Sequence, residues 1–193
     1  MAGDADGLSR KRLQGVDDTR KLARLEFNGV SAQLLGSEGA AAAPLTKTLD
    51  QAVTCLANEM VGGAEALREQ ALDYAQLRMQ FGRTIASFQT MKHKSADMLI
   101  DVELAKSAAY YAAAAADGDH DGGEELGAMA SLAKAGAAEA YMQTAIHTIQ
   151  IHGGIGFTWD NDTHLWFKRA KSSEVFLGEP SYHRELMLQR WQG

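Results

Sequence analysis

The chain has 193 residues, of which 46% are hydrophobic and 23% charged, so it is long enough for one domain with a hydrophobic core. Its formal net charge of −6 argues against a nucleic-acid partner, because a phosphate backbone calls for a basic surface. No apolar run approaches the roughly 20 residues that span a bilayer and the first residues lack the apolar segment of a signal peptide, so we expect a cytoplasmic protein without membrane insertion.

Residues 1–20 are polar and rich in glycine, and we expect them to be flexible. The next segment, KLARLEF (residues 21–27), alternates apolar and polar residues, which is the period of a half-buried β-strand. A single strand needs hydrogen-bonding partners along its edges. The sequence therefore predicts that residues 30–36 (VSAQLLG) fold back on this strand or that its sheet lies elsewhere.

Helical periodicity begins at Pro44, a residue suited to a first helical turn. The pattern predicts a helix from Pro44 to about Gln80, which Gly82 caps in the left-handed conformation. The inward positions of this helix recur at spacings of three and four: Leu45, Leu49, Val53, Leu56, Met60, Gly63 and Leu67. Cys55, the single cysteine, lies among these residues, and we expect it to be a small core residue.

Four more helices complete the pattern. The second covers about residues 87–116, with an inward face of Met91, Met98, Val102, Ala105 and Ala109. After a loop at residues 117–123, the third covers about 124–151, with an inward face of Met129, Leu132, Gly136, Tyr141, Ala145 and Ile149. The fourth covers about 162–176, and the last begins at Glu179-Pro180 and ends near Trp191. The sequence predicts a mainly α fold, an antiparallel helical bundle preceded by a short β-strand or hairpin.

The histidines do not have the spacing of a metal site. A di-iron bundle needs inward Glu-x-x-His motifs on two helices, whereas His147 and His152 are five residues apart, the wrong interval for one helix face. We expect His164 and His183, on separate short helices, to be surface or capping residues. The chain also lacks a P-loop, a Gly-x-Ser-x-Gly elbow and a Rossmann glycine turn after a strand, so the sequence predicts neither a metal site nor a catalytic triad.

Two segments contain more polar and aromatic detail than a helical core needs. In the first, residues 77–98, Arg78 lies at a helix end and Gln89 at the next helix start, where an arginine fork and amide donors suit a diphosphate joined to a planar heterocycle. The second, QIHGGIGFTWDND (150–162), ends a long helix at Gly153-Gly154, whose bare backbone allows a large ligand to approach. Ordinary helix capping with a solvated arginine, and a C-cap followed by a loop, are the alternatives.

Together these segments resemble the C-terminal half of the acyl-CoA dehydrogenase family. RMQFG is similar to the family's Arg-x-x-Phe-Gly element, FQ to its flavin-contacting pair on the next helix, and QIHGGIGF to its Gln-x-x-Gly-Gly-x-Gly-Phe element. Order and spacing agree from about Asp17 to the end, and residues 17–30 resemble the last strands of the family's middle β-domain. The resemblance implies that residues 1–43 are a flexible start and a remnant of that β-domain. It also implies that residues 44–193 are the C-terminal bundle, which binds FAD and forms the oligomer interface.

The implied activity is α,β-dehydrogenation of an acyl-CoA thioester, part of lipid metabolism, with FAD as the hydride acceptor. In the family the flavin site spans two subunits. The residues matched to flavin contacts are Arg78, Gln80, Phe81, Phe88, Gln89, Gln150, Gly153, Gly154, Glu179 and Ser181. The implied partners are acyl-CoA, a second acyl-CoA dehydrogenase chain in a homo-oligomer or hetero-oligomer, and electron-transfer flavoprotein.

The chain departs from the family's pattern at the catalytic base. The usual glutamate precedes the glycine aligned with Gly178, and Leu177 stands there instead. A subgroup places its base on the first long helix, where this chain has Ala52, and the family's arginine near the CoA end of the substrate aligns with Val53. Candidate substitutes for the base are Glu174, Asp50 and Glu179. Glu179 is a weak candidate, because a carboxylate at a helix start also serves as a cap. Gly178 and Asp50 are the candidate substrate contacts.

The family's N-terminal helical domain and most of its β-domain have no counterpart in this sequence. We therefore expect a truncated chain that is inactive by itself. One hypothesis is the C-terminal bundle of an acyl-CoA dehydrogenase with an unusual base. The other is a non-catalytic partner subunit of a heteromeric acyl-CoA dehydrogenase, whose sister chain carries the glutamate. Different chemistry on the same fold is a third possibility.

Overall fold

The computed structural model of the protein describes residues 5–118 and 125–191. These residues form a helical bundle that follows a short β-hairpin in the chain, so the predicted mainly α fold is confirmed. In chain order the elements are β1 (Leu8–Arg12), β2 (Ala23–Phe27), α1 (Ala42–Leu77), β3 (Met79–Gln80), β4 (Arg83–Thr84), α2 (Gln89–Asp117), α3 (Leu126–His152), α4 (Thr163–Val175) and α5 (Pro180–Trp191). No helix formed by these residues combines the length and the apolar character needed to cross a bilayer.

Helix α3 lies at the centre of the bundle and packs against the other four helices. Small side chains allow this, because alanine is the most frequent residue at its buried positions and lets neighbouring helices approach closely. At the crossing with α1, the Tyr141 ring occupies the space beside Gly63, and a Cβ built on Gly63 would lie 2.6 Å from Tyr141 Cζ. The predicted inward positions Gly63 and Tyr141 are therefore direct partners.

Helix α1 begins at Ala42, two residues before the predicted Pro44, and its C-terminal end also differs from the prediction. It ends at Leu77, not at about Gln80, because Met79–Gln80 pairs with Arg83–Thr84 in a small antiparallel hairpin. Phe81 and Gly82 form the turn of that hairpin with φ angles of 55° and 76°, as a type I′ turn requires. The prediction that Gly82 caps α1 is therefore wrong; Arg78 ends the helix, and its N–H donates to the Tyr74 carbonyl over 2.9 Å.

Several predicted core positions are exposed. Leu45 and Leu49 are 58% and 45% exposed, because α1 with 36 residues is about 54 Å long and overhangs α3, which has 27 residues and is about 40 Å long. Cys55 is exposed as well, since it faces away from the side of α1 that buries Val53. On α3, Leu132 is 42% exposed because it faces an open groove beside α2.

The strand prediction was right in place and wrong in detail. β2 pairs with β1 in antiparallel register, with Leu8 opposite Phe27, so residues 8–12 form a strand rather than a flexible start, and residues 30–36 are not its partner. All five residues of β2 are exposed, so the half-buried prediction is also wrong. The reason is that none of the other elements formed by residues 5–118 and 125–191 covers either face of the two-stranded ribbon.

The loop between β1 and β2 attaches the hairpin to the bundle. Asp17 is buried, and its Oδ2 lies 3.3 Å from Arg169 Nε of α4. Arg20 pairs with Glu59 of α1 and donates to Ser173 Oγ of α4 over 3.4 Å. Charges from three parts of the chain thus meet at one point, which fixes the loop against the helices.

Residues 119–124 lie outside the described part of the chain. Most of the loop predicted at residues 117–123 and the start of the third helix predicted at Glu124 fall there. The remaining helices follow their predictions, and Pro180 is the first residue of α5.

Candidate functional site

The ends of α1 and α3 meet at one end of the bundle. Tyr74, in the last turn of α1, stacks on His152 at the end of α3, with ring centroids 4.2 Å apart. Its hydroxyl donates to the His152 carbonyl over 3.4 Å. Arg78 and Gly153 follow these two residues in the chain. The structure therefore brings the predicted arginine segment and glycine segment to the same end of the molecule.

The β3–β4 hairpin presents its side chains to solvent at this end. Arg78 and Gln80 are exposed, and Phe81 is 90% exposed although its φ of 55° is unfavourable for a residue with a side chain. Phe81 meets Phe88 edge to face at 6.2 Å, and the Arg83 guanidinium lies 4.0 Å from the centroid of the Phe88 ring. The hairpin turn thus holds an aromatic side chain in solvent at this end of the bundle.

The three glycines after α3 have different reasons to be glycine. Gly153 ends the helix with φ 66° and ψ −142°, a conformation open to glycine. A Cβ on Gly153 or Gly154 would meet nothing within 4 Å, whereas one on Gly156 would lie 3.2 Å from the Ile149 carbonyl oxygen. The backbone at Gly153-Gly154 is thus accessible, and Gly156 serves internal packing.

An apolar cavity of about 970 Å³ adjoins the glycine segment. Gln150, Gly153 and Gly154 form part of its wall, together with aromatic and aliphatic side chains of α3, α4 and the connecting turn. Trp159 is 81% exposed, meets His164 edge to face at 4.5 Å, and has Lys168 Nζ 5.1 Å from its centroid. The sequence reasoning missed Trp159 and Lys168, and the FTWD stretch was the signal for the first.

A polar cluster joins α2 to α3 beside this cavity. Lys94 Nζ donates to Gln150 Oε1 over 2.9 Å and lies 3.4 Å from His147 Nδ1. Burial and the Lys94 cation lower the pKa of His147, and Asp97 and Asp101 oppose this shift. The sequence reasoning also missed Lys94, because nothing in the helical pattern of α2 distinguishes it from the neighbouring lysine.

The turn that holds Leu177 lies elsewhere in the molecule. Lys134, from the first half of α3, is fully buried and donates to the carbonyls of Glu174 and Gly178 over 3.0 and 2.9 Å. Buried His183 donates from Nε2 to the Leu177 carbonyl over 2.9 Å. Two buried nitrogen donors therefore fix this turn, in which Leu177 has a φ of 60°.

The Leu177 side chain packs into the protein and does not stand in an open pocket. It contacts a buried apolar cluster whose members are Val53, Ala115, Leu126 and Ala130. Leu177 and Val53, which the resemblance matched to a catalytic base and an arginine, thus belong to one apolar region. Apolar packing occupies the place where the sequence comparison expected polar groups.

Each candidate substitute for the base has another engagement or lies in solvent. Asp50 accepts from Arg190 Nη1 over 2.8 Å, and Glu174 pairs with Lys171. Glu179 is exposed and precedes α5, where its carbonyl accepts from the His183 N–H over 3.1 Å. Ser181 is exposed in the first turn of α5.

The predicted site residues thus fall into two groups within one chain. Lys134, which contacts the Gly178 turn, precedes Gln150 on α3 by 16 residues, or about 24 Å of helix. Arg78, Gln150 and Gly153 lie together at one end, and the Leu177–Ser181 segment lies apart from them. A ligand that contacts both groups closely therefore requires either considerable length or a second chain.

The pKa of buried Lys134 gives a prediction that a pH series tests. Burial lowers this pKa from 10.5 to about 8, against the opposing charge of Glu174. Between these values the unfolded chain holds the proton and the folded chain has released it, so Lys134 makes stability rise with pH. From about pH 8.5 to about pH 10, we expect the wild type to gain about 2 kcal/mol of unfolding free energy relative to Lys134→Met.

Urea unfolding at each pH measures this difference. Lys47→Met, at an exposed position of α1, is the control and should follow the wild type across the range. Parallel curves for the wild type and Lys134→Met would show that Lys134 does not titrate as proposed.

Comparison with known proteins places these features in context. Residues 31–192 match the family described as acyl-CoA dehydrogenase, C-terminal domain. The chain is 37% identical over 172 residues to acyl-CoA dehydrogenase IpdE2 of Mycobacterium tuberculosis, an alignment that covers 89% of this chain and 48% of that protein. The chain therefore spans about half the length of this curated relative.

Two solved structures illustrate the fold. Butyryl-CoA dehydrogenase from Megasphaera elsdenii superposes with a TM-score of 0.92 at 24% identity, over 100% of this chain and 51% of that chain, a likeness that shows the fold. A variant of the Tcur3481-Tcur3483 steroid ACAD superposes with a TM-score of 0.85 at 30% identity, over 98% of this chain and 50% of that chain. Both align with the whole bundle and the hairpin before it.

Proposed function

The chain belongs to the acyl-CoA dehydrogenase family, and we propose that it supplies the C-terminal part of a FAD-dependent acyl-CoA dehydrogenase. In this role residues 44–193 contribute flavin half-sites and an oligomer interface, and residues 1–43 contain the end of a middle β-domain. The observation that carries the proposal is the meeting of Arg78 and the open Gly153-Gly154 backbone at one end of the bundle. When bound, FAD supplies the hydride acceptor for α,β-dehydrogenation of an acyl-CoA thioester.

The chemistry of the donors at this end fits a flavin dinucleotide. Arg78 offers a planar guanidinium fork, which suits phosphate oxygens, and three exposed amides, Gln80, Gln89 and Gln150, offer neutral donors. Phe81 and Phe88 supply aromatic surface for a planar ring. The open backbone at Gly153-Gly154 accepts a bulky group.

Two chains docked at the end that carries Arg78 and Gly153 would share their flavin sites, and the distant Leu177–Ser181 segment also favours a site shared between chains. Arg78, Gln80, Phe81, Phe88 and Gln89 would hold one part of a flavin, and Gln150, Gly153 and Gly154 would line the flavin of a neighbour. Glu179 and Ser181 lie about 24 Å away along the bundle by the estimate from helix rise. They would therefore contact a flavin that is bound with the help of another subunit. Acyl-CoA is the proposed substrate, with Gly178 at its contact, and electron-transfer flavoprotein is the proposed electron acceptor.

A second candidate function is that of a non-catalytic partner subunit in a heteromeric acyl-CoA dehydrogenase. The observation that favours it is the packing of Leu177 against the cluster that contains Val53, which leaves neither a base nor an arginine at the usual places. Asp50, the other proposed substrate contact, is already paired with Arg190. The two-part name of the steroid ACAD is in keeping with such an assembly. In this case the sister chain supplies the glutamate.

A flavin titration of the purified protein tests the half-site. Because the chain spans half the length of its relatives, we expect weak, substoichiometric binding of FAD. The quenching of flavin fluorescence measures this binding. Arg78→Ala should weaken it by about tenfold, the value of one charge-assisted hydrogen bond, and Gly153→Val should weaken it comparably because the side chain forces the backbone out of its positive φ.

Arg24→Ala, on the exposed β-hairpin, is the control and should bind FAD as the wild type does. Equal affinity of the wild type and Arg78→Ala would remove Arg78 from the site. Full flavin occupancy, with reduction by acyl-CoA in the protein alone, would overturn the non-catalytic alternative.

A further inference from the structure

The contact between Lys94 and Gln150 fixes which way the Gln150 amide faces. An ammonium group has donors and no acceptor, so Lys94 Nζ, at 2.9 Å, must bond to the amide oxygen and not to the nitrogen. Within the part of the chain that the structure describes, this is the one hydrogen bond recorded for the Gln150 side chain. The –NH₂ group therefore remains available to donate.

The surroundings of Gln150 indicate what its –NH₂ group would bind. Gln150 lines the cavity beside Gly153-Gly154, where exposed Trp159 supplies an aromatic wall. Lys94 stands on one side of Gln150 and Lys168 lies over the Trp159 ring. A cavity with an aromatic wall and nearby cations suits a ligand that carries both a planar ring and negative charge, as a nucleoside diphosphate does.

The titratable groups around Lys94 leave its role intact near neutral pH. Burial and Lys94 lower the pKa of His147, so the imidazole is neutral and its Nδ1 can accept from the ammonium. Asp97 and Asp101, further along α2, act in the opposite direction on the pKa of His147. The contact of Lys94 with Gln150 Oε1, at 2.9 Å, is shorter than its contact with His147 Nδ1, at 3.4 Å, and Gln150 lines the cavity.

We propose that Lys94 is a positioning residue that holds the Gln150 amide with its –NH₂ group toward the phosphates of a bound nucleotide. The inference rests on the proposed flavin site and deepens it, because it adds Lys94, which is not among the proposed flavin contacts, as the residue that orients one of them. Lys94 acts through the amide, and its own ammonium adds positive potential at the same place.

ADP titrated into the 193-residue protein tests the inference, with the side-chain amide of Gln150 and the backbone amides of Gly153 and Gly154 followed by NMR. We expect ADP to bind in the millimolar range and Lys94→Met to weaken it by about tenfold, as the loss of an oriented donor near phosphate should. Lys92→Met is the matched control, because Lys92 is an exposed lysine on the same helix two residues earlier. It should bind ADP as the wild type does.

Gln150→Glu separates positioning from a structural role. The new carboxylate keeps its partner in Lys94 and gains an ion pair, so the protein should be at least as stable as the wild type. It lacks the –NH₂ donor and adds a negative charge, so ADP binding should fall by tenfold or more. Adenosine, which has no phosphate, should bind all four proteins equally.

Two results would overturn the inference: no ADP binding by the wild type, or equal ADP affinity of the wild type, Lys94→Met and Gln150→Glu. An equal loss of affinity for ADP and for adenosine in the variants would also overturn the inference, because it would mean that the cavity is damaged. These outcomes are distinct from failure of the proposed function, which the FAD titration and the Arg78→Ala variant test at a different residue.

Discussion

Gly63→Val lowers the free energy of unfolding by about 3 kcal/mol, the cost expected from forcing extra atoms into a packed core. A Cβ at this position would lie 2.6 Å from Tyr141 Cζ and 2.8 Å from its hydroxyl oxygen. Tyr141 is 2% exposed and belongs to the main core cluster, so its ring has no free space into which to move. The helices α1 and α3 must separate, and their separation disturbs the core cluster to which Tyr141 belongs.

Gly62→Val is the matched control for this prediction. Gly62 is the preceding residue in the same helix, is exposed, and a Cβ built on it meets nothing within 4 Å. Both changes alter helix propensity equally, so the unfolding free energy of Gly62→Val should stay within about 0.5 kcal/mol of the wild type. In a Tyr141→Leu background the cost of Gly63→Val should fall, since the two positions are in contact. Equal urea midpoints for the two glycine variants would contradict the close packing.

Leu177→Glu lowers the free energy of unfolding by about 3 kcal/mol at neutral pH, through lost apolar contact and the desolvation of a carboxylate. The Leu177 side chain packs against the cluster of Val53, Ala115, Leu126 and Ala130. Leu177 is partly buried and its carbonyl is held by the hydrogen bond from His183, so the new side chain begins from a position beside the cluster. Glutamate, which the resemblance predicted for this position in a catalytic chain, is therefore unfavourable here.

Two control variants identify the cause of this loss. Leu177→Met keeps the volume and the apolar character, and it should cost less than about 1.5 kcal/mol. Leu177→Gln has the shape of glutamate without its charge, and the gap between it and Leu177→Glu should close as the pH falls and the carboxyl takes up a proton. If Leu177→Glu is as stable as Leu177→Met at neutral pH, position 177 still accommodates a carboxylate. That result would favour a catalytic chain, with room for a carboxylate at position 177, over the non-catalytic alternative.

The two candidate functions give the packing of Leu177 different consequences. For a catalytic chain, its packing leaves the base to be found among carboxylates that are paired or exposed. For a partner subunit, the same packing stabilises a bundle whose task is to complete a neighbour's flavin site. The Lys134 and His183 contacts serve both cases, because a fixed turn at residue 178 is needed wherever a ligand lies against it.

Elements with local signals can be predicted from the order of residues in the chain. Helical periodicity predicted α2, α4 and α5 to within two residues of their observed bounds, since an amphipathic face repeats within a single segment. Proline at the first position of α5 was likewise correct. The spaced motifs around Arg78, Gln89 and Gly153 identified the family, because their residue types and order are written in the chain itself. The flavin contacts assigned to those residues remain predictions.

Tertiary structure alone decided the features that depend on residues distant in the chain. The partner of β2 proved to be Leu8–Arg12, since a strand's alternation does not say which segment will pair with it. Leu45, Leu132 and Cys55 proved exposed, because a periodic face does not record how far a neighbouring helix extends. Lys134 proved buried, and Lys94 proved to reach Gln150. A lysine in a helical pattern is expected to be solvated, because the sequence does not show that it contacts a carbonyl or an amide of another element.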